Sequence, residues 1–403
     1  MKKNSAPVPF FFLCWFMFAC ALSDAWASCK EYVPYLRHGG YGVADSSGSM
    51  VESCHPDQQF IPASTIKIIT AYASLKILGE AYRFSTLFFW DKEHNLYIKG
   101  FGDPLLLSED VAEITAALQL QGITELHHIF IDNSAYALDG RLPPGSEASE
   151  NPYDAPVGAT AVNFNSMAIV VDKQGRVHSG EEQTPTLPFM AELAQGKRAG
   201  TYRLNICSKG CQPETVVARH SAELFTSFLT LAGISVTGSH GIRRVPDDAK
   251  LVYVHQNPRS LDYILTNMLH YSSNFIANQL FLLCGAKRFG FPATWDKGVR
   301  AMYQVLEESL DEQILQSITI TDGAGLSREN SMSIEAMLSV LKIFAPYKTL
   351  LRSYRGTLAK TGTLEGVYNY AGYFKNGKRY AIFLNQPKNY RATLLDQLKK
   401  KNQ

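Results

Sequence analysis

The sequence predicts an α+β protein in which a helix-flanked, mostly antiparallel sheet is split by a long insertion rich in short strands. Three observations carry this. Long helical periodicity is concentrated just after residue 64 and again beyond residue 260. The chain closes on a β-hairpin, Tyr368 to Phe374 and Tyr380 to Asn385, around the turn Lys375-Asn376-Gly377-Lys378. Between these, residues 84–248 alternate short β-like runs with Gly, Pro, Asn and Asp turns.

Taken in order, the elements justify that division. Lys2 and Lys3 precede an apolar run from Phe10 to Leu22 and then Ala25-Trp26-Ala27, the layout of a cleaved signal peptide over residues 1–27. The run is shorter than the ~18–20 residues a membrane span needs. A rival reading is a lipoprotein cut before Cys20. Strands are expected at Tyr41 to Asp45 and Met50 to Ser53, then a helix from Thr65 to Leu78 that Gly79 ends. The insertion offers β-like runs at Phe84 to Trp90, Leu96 to Lys99, His128 to Ile131, Ala168 to Val171 and Tyr202 to Ile206. Its helices are expected at Ser108 to Leu120 and Ser221 to Ala232, and Pro143-Pro144-Gly145-Ser146 reads as a surface loop. Helical patterns return at Ser260 to Leu283, Trp295 to Leu310 and Ser333 to Phe344, and a short helix from Arg391 to Lys401 closes the chain. The expected domains are therefore 28–83 with 249–403 as one split unit, and 84–248 as the inserted one.

Composition narrows the function classes. Of 403 residues, 46% are apolar and 19% charged, ordinary for a globular chain and unlike a disordered or collagenous one. A formal charge of +2 gives no strong field to draw nucleic acid or an anionic membrane. Two of seven cysteines lie in the signal segment, so five remain after export into an oxidising compartment. Cys207 and Cys211 could close a small loop, Cys29 and Cys54 could pair across two strands, and Cys284 in an apolar helix is left over. A zinc site at Cys207/Cys211 would need further Cys or His at short spacing, and none follows.

Three motifs carry chemistry: Ser64-Thr65-Ile66-Lys67, Ser272-Ser273-Asn274 and Lys360-Thr361-Gly362-Thr363. Each alone has a bland reading, such as a helix cap, polar dots on a helix, or a strand edge. In this order and these local contexts they point to a serine nucleophile. Lys67, one helical turn beyond Ser64, can reach its oxygen. Serine needs a neighbouring base, and a lysine serves only if desolvation and a nearby cation lower its pKa. Lys360 is the expected cation. Gly362 would let the strand lie close to a ligand, and Thr361 and Thr363 offer hydroxyls to a carboxylate.

These motifs resemble those of the penicillin-binding proteins and serine β-lactamases. The flanks Gly102-Asp103-Pro104-Leu105-Leu106 and Asp322 to Asn330 resemble the class C low-molecular-mass penicillin-binding proteins, D-alanyl-D-alanine carboxypeptidases of which several are also endopeptidases. The resemblance implies a transpeptidase-like core and a periplasmic enzyme acting on peptidoglycan stem peptides, inhibited by β-lactams and needing no metal or nucleotide. It implies that Ser64 is acylated, Lys67 is its base, Ser272 relays a proton to the leaving amine, and Asn274 positions Lys67 and the substrate. Lys360 and Thr361 would hold the terminal carboxylate, and the Ser64 and Thr363 N–H groups would form the oxyanion hole.

Asp132, ending a strand of the insertion, has two readings: a partner for the free amine of the stem-peptide side chain, or an Asx turn. The Asp322 to Asn330 stretch reads as a structural turn near the site. His127 and His128, if on a strand, would point to opposite faces. Glu307-Glu308-Ser309-Leu310-Asp311 imperfectly resembles the deacylating motif of class A β-lactamases and otherwise reads as a solvated helix end. The alternatives to a carboxypeptidase are thus a β-lactamase and a non-catalytic cell-wall binder.

Overall fold

A computed structural model describes residues 29–402; the expected signal segment and Cys20 lie outside them. The central sheet is antiparallel throughout, in the order Arg352–Tyr354, Thr357–Leu364, Val367–Tyr373, Arg379–Leu384, Gly39–Ala44, Met50–Cys54. The expected hairpin is its centre, and the two N-terminal strands add to it, so both ends of the described chain meet in one sheet. Arg379–Leu384 is buried along its whole length. Its alternate residues explain why: Tyr380, Ile382 and Leu384 pack with Leu394, Leu395 and Leu398 of the Arg391–Asn402 helix, while Ala381 and Phe383 face the main core. A sheet covered on both faces needs no polar side.

Helix Lys67–Leu78 is apolar on nearly every side, and the residues from Lys67 to Leu75 are all buried. A helix of that pattern belongs inside a protein, and it sits among the helices Leu261–Tyr271, Asn274–Phe289, Trp295–Glu307 and Ile334–Phe344. The periodic stretch expected as one helix from Ser260 to Leu283 is two. Ser272 takes the left-handed region (φ 57°, ψ 34°) and ends the first; the Ser273 side chain accepts from the Ile276 N–H and caps the second. The apolar period runs through this break and hides it.

The middle region carries a five-stranded sheet in the order His240–Ile242, Ile129–Asp132, Leu96–Gly100, Ser85–Trp90, Lys250–Gln256. Its last strand lies just beyond residue 248. Ile129–Asp132 runs parallel to Leu96–Gly100 because helix Ser108–Leu120 crosses over between them. The region also holds a three-stranded antiparallel sheet, Val177–Ser179, Ser166–Val171, Gly200–Asn205. Helix Pro213–Leu231 is longer than the Ser221 to Ala232 stretch expected, starting with proline at its first position, where no N–H is needed. Disulfides join Cys29 to Cys54 and Cys207 to Cys211, and Cys284 is free and buried. Among the described residues no helix is long and apolar enough to cross a membrane.

Candidate active site

Ser64 lies in a 3-10 turn, Ala63–Ile66, that runs directly into helix Lys67–Leu78. Two glycines let other segments close on this turn. A side chain on Gly325 (φ 75°) would meet the Ala63 carbonyl oxygen at 2.0 Å, and one on Gly362 would meet that of Pro62 at 2.6 Å. Gly362 therefore serves the approach of the protein's own backbone. It does not face the open cleft, because alternation along Thr357–Leu364 presents Thr361 and Thr363 there instead.

Lys67 is fully buried and donates to three neutral oxygens: Ser64 Oγ at 2.8 Å, Asn274 Oδ1 at 2.8 Å and the Ala324 carbonyl at 2.6 Å. Burial, and next the Lys360 charge, push its amine well below the ordinary lysine value, with Asp322 opposing. Lys360 is 2% exposed and donates to Ser272 Oγ and to the Thr361 carbonyl, each at 2.9 Å. Burial, helped by the charge of Arg391, brings its pKa down to about 7. The structure thus brings these residues together as two hydrogen-bonded groups, Ser64 with Lys67 and Asn274, and Ser272 with Lys360; Ser64, Ser272, Asn274, Thr361 and Thr363 line one cleft of about 980 Å³.

Asp132 is not brought there. It is buried at the strand end, where its carboxylate accepts from the N–H groups of Ser134 (2.8 Å) and Val245 (3.1 Å) and faces Lys99 at 3.2 Å. Burial raises its pKa, but these hydrogen bonds and Lys99 outweigh burial and hold the carboxyl below the usual range. The turn is what the structure shows, and Asp132, 1% exposed, does not line the cleft. The acidic residue that the middle region does place on the cleft is Glu147, beside Pro144, Gly145 and Tyr153. The stretch expected as a surface loop is therefore a wall of the cleft; no local pattern marks Glu147.

The turn after Asp322 is more than scaffolding. The Asp322 carboxylate accepts from the N–H groups of Ala324, Gly325, Leu326 and Ser327 and from the Asn330 side chain. So held, the turn aims the Ala324 carbonyl at Lys67. A carbonyl has no sequence signature, and residue reading misses it. Arg391, also missed, donates to the Gly362 carbonyl and Thr363 Oγ1, both at 2.8 Å, and lies over the Tyr370 ring. Glu307 is an exposed helix end and does not line the cleft. His127 and His128 lie before the strand, not in it, and their ring centres are 4.0 Å apart with the planes tilted by 36°. Among the described residues, the grouping of Cys, His and acidic atoms close enough to share a metal is Cys29, Cys54 and His55, whose two sulfurs are already joined.

Comparison with known proteins agrees with this geometry. The family described as D-Ala-D-Ala carboxypeptidase 3 (S13) matches residues 39–359. The D-alanyl-D-alanine carboxypeptidase DacB of Haemophilus influenzae is 25% identical, over 83% of this chain and 80% of its own. A D-alanyl-D-alanine carboxypeptidase of Actinomadura sp. is 24% identical, over 82% of this chain and 74% of its own. Among solved structures, penicillin binding protein 4 (dacB) of Haemophilus influenzae superposes with a TM-score of 0.74 at 20% identity, covering 90% of this chain and 96% of that one. A predatory peptidoglycan endopeptidase of Bdellovibrio bacteriovorus gives 0.54 at 15% identity, covering 90% of each chain. Both likenesses are of fold, and they match the α+β architecture described above.

Proposed function

The chain belongs to the D-Ala-D-Ala carboxypeptidase 3 (S13) family, and from that premise we propose that it is a serine D-alanyl-D-alanine carboxypeptidase/endopeptidase that cuts peptidoglycan stem peptides or their cross-links. One observation carries the reading: a buried lysine of lowered pKa, bonded to Ser64 Oγ, with a second lysine bonded to Ser272. Neutral Lys67 takes the Ser64 proton as Oγ attacks the carbonyl carbon of the penultimate D-alanine. The Ser64 and Thr363 N–H groups receive the oxyanion, where one donor is typically worth ~3 kcal/mol. As the C–N bond breaks, Ser272, next to Lys360, passes a proton to the leaving amine. Lys360, Thr361 and Thr363 hold the terminal carboxylate. Water then releases the acyl group and restores Ser64.

Asn274 ties Lys67 to the middle region, since its Oδ1 accepts from Lys67 and its Nδ2 donates to the Tyr153 carbonyl. Glu147, on the cleft wall, is the group we assign to a cationic stem-peptide side chain. We read the catalytic unit as residues 28–83 with 249–403, and 84–248 as an insertion whose sheet borrows the Lys250–Gln256 strand. Residues 1–27 are taken as a signal that sends the enzyme to the periplasm.

Labelled penicillin tests the reading directly. A long-lived adduct on Ser64 that Ser64→Ala abolishes is expected, and rapid turnover of the drug would identify a β-lactamase instead. Mass analysis of digested cross-linked muropeptides then separates loss of a terminal D-alanine from scission of the cross-link.

A further inference from the structure

A second cavity, of about 610 Å³, shares Tyr153, Ser272 and Asn274 with the catalytic cleft as a common wall. Its lining includes part of an unusual stretch of backbone. Asn163, Phe164 and Asn165 take positive φ in succession (47°, 58° and 49°), a region that side-chain-bearing residues enter singly and under constraint. The constraint is visible. Asn163, nearly buried, accepts from the Ser108 N–H at 2.9 Å and donates to Ser108 Oγ at 2.8 Å, and buried Asn165 donates to the Pro156 carbonyl at 2.8 Å. The two asparagines are anchored inward. Between them Phe164 stays half-buried in the cavity lining, edge-on to Phe275 at 6.1 Å.

A strained turn is not needed to bury a phenylalanine, which an ordinary strand does without cost. What the strain achieves here is to present a ring to a cavity. Two more rings stand at that cavity, Tyr153 at 49% and Tyr271 at 80% exposure. Planar polar groups accompany them: Asn267 and the Glu181–Arg203 ion pair. Flat apolar faces combined with forked donors and acceptors are what a pyranose requires, with C–H faces for stacking and hydroxyls for paired hydrogen bonds.

We propose that this cavity is a saccharide subsite, taking the N-acetylated amino sugar from which the stem peptide hangs. The inference rests on the peptidoglycan reading above and names a second part of its substrate. The reach is right. Four peptide residues span at most ~14 Å, and the cavity begins at Asn274, whose Oδ1 accepts from the same Lys67 amine that touches Ser64.

The test compares a free pentapeptide stem with the same stem carried on its N-acetylglucosaminyl-N-acetylmuramyl disaccharide, reading release of D-alanine. The glycosylated substrate should show a kcat/KM about tenfold higher, chiefly through KM, the ratio that one good ring contact yields. Phe164→Ala and Tyr271→Ala should each bring that ratio toward one. Tyr271 is so exposed that its loss cannot unfold the chain, and penicillin labelling of Ser64 in the same samples reports a folded core. Equal kcat/KM for the two substrates in the unaltered enzyme overturns the subsite, as does a ratio that both variants leave intact. Failure of the enzymatic reading looks different: neither substrate is cut and Ser64 takes no label, and the subsite falls with it.

Discussion

In and around the middle region, two buried carboxylates meet opposite charge. Asp132 faces Lys99 at 3.2 Å, and Asp110 faces Arg259 at 2.8 Å. In the cleft, two buried lysines meet only neutral oxygens, and among the described residues neither forms an ion pair. The difference separates architecture from chemistry. A buried charge with its counter-charge and its hydrogen bonds complete is locked in one protonation state. A buried amine with no counter-charge and a second amine as neighbour gives up its proton far more readily than an exposed one and can act as a base.

The sharpest way to break this contrast is to remove one charge of each kind. Lys67→Met should slow acylation by labelled penicillin by roughly 10²–10⁴-fold, the typical worth of a general base. Its melting temperature should change little, because removing a buried amine that has no counter-charge offsets the loss of its three hydrogen bonds. A variant that still acylates at the original rate would remove Lys67 from the mechanism.

Asp132→Asn should do the reverse, costing about 1–3 kcal/mol in urea unfolding, as a buried polar network loses a charged acceptor, while penicillin still labels Ser64. The sign with pH follows from the lowered carboxyl of Asp132. Its stabilising contribution is present above the unfolded value of ~3.9 and disappears as pH falls through the folded one. The variant and the parent should therefore converge in stability at low pH.

Lys360 gives a smaller, graded effect. With its pKa near 7, it is cationic below that pH and neutral above. Acylation by a penicillin, whose carboxylate it meets, should fall as pH rises through about 7, seen as the alkaline limb of the second-order rate. Arg391→Gln removes a charge that depresses Lys360, so that limb should move to higher pH by a fraction of a unit. Arg391→Lys, which keeps the charge, should leave it nearly in place. An unmoved limb in Arg391→Gln would leave burial as the sole cause.

Much of the fold was legible because its signals are local. The hairpin follows from alternation on either side of Asn376-Gly377, and helix Ser108–Leu120 has the bounds its pattern predicts. The break at Ser272 was not legible, because Met268 and Phe275, seven residues apart and both buried, keep the apolar period across it. At the site, the S-x-x-K spacing predicts the contact between Lys67 and Ser64, since three helical residues make one turn. Glu147, Tyr153, Ala324 and Arg391 come from loops and a terminal helix far along the chain, and only packing assembles them. Asp132 shows the converse: an acidic residue at a strand end looks the same in sequence whether it faces a ligand or its own turn.

The sequence by itself determined which residue types stand ready: a serine with a lysine one turn on, a second serine with an asparagine, and a lysine on a strand. Chemistry demands those types, and short spacing is enough to place them within each motif. Tertiary structure alone decided which buried charges are reactive and which are braces. A proton's affinity depends on burial and on every charge and dipole nearby, and for Lys67 and Asp132 alike those neighbours are contributed by segments far away in the chain.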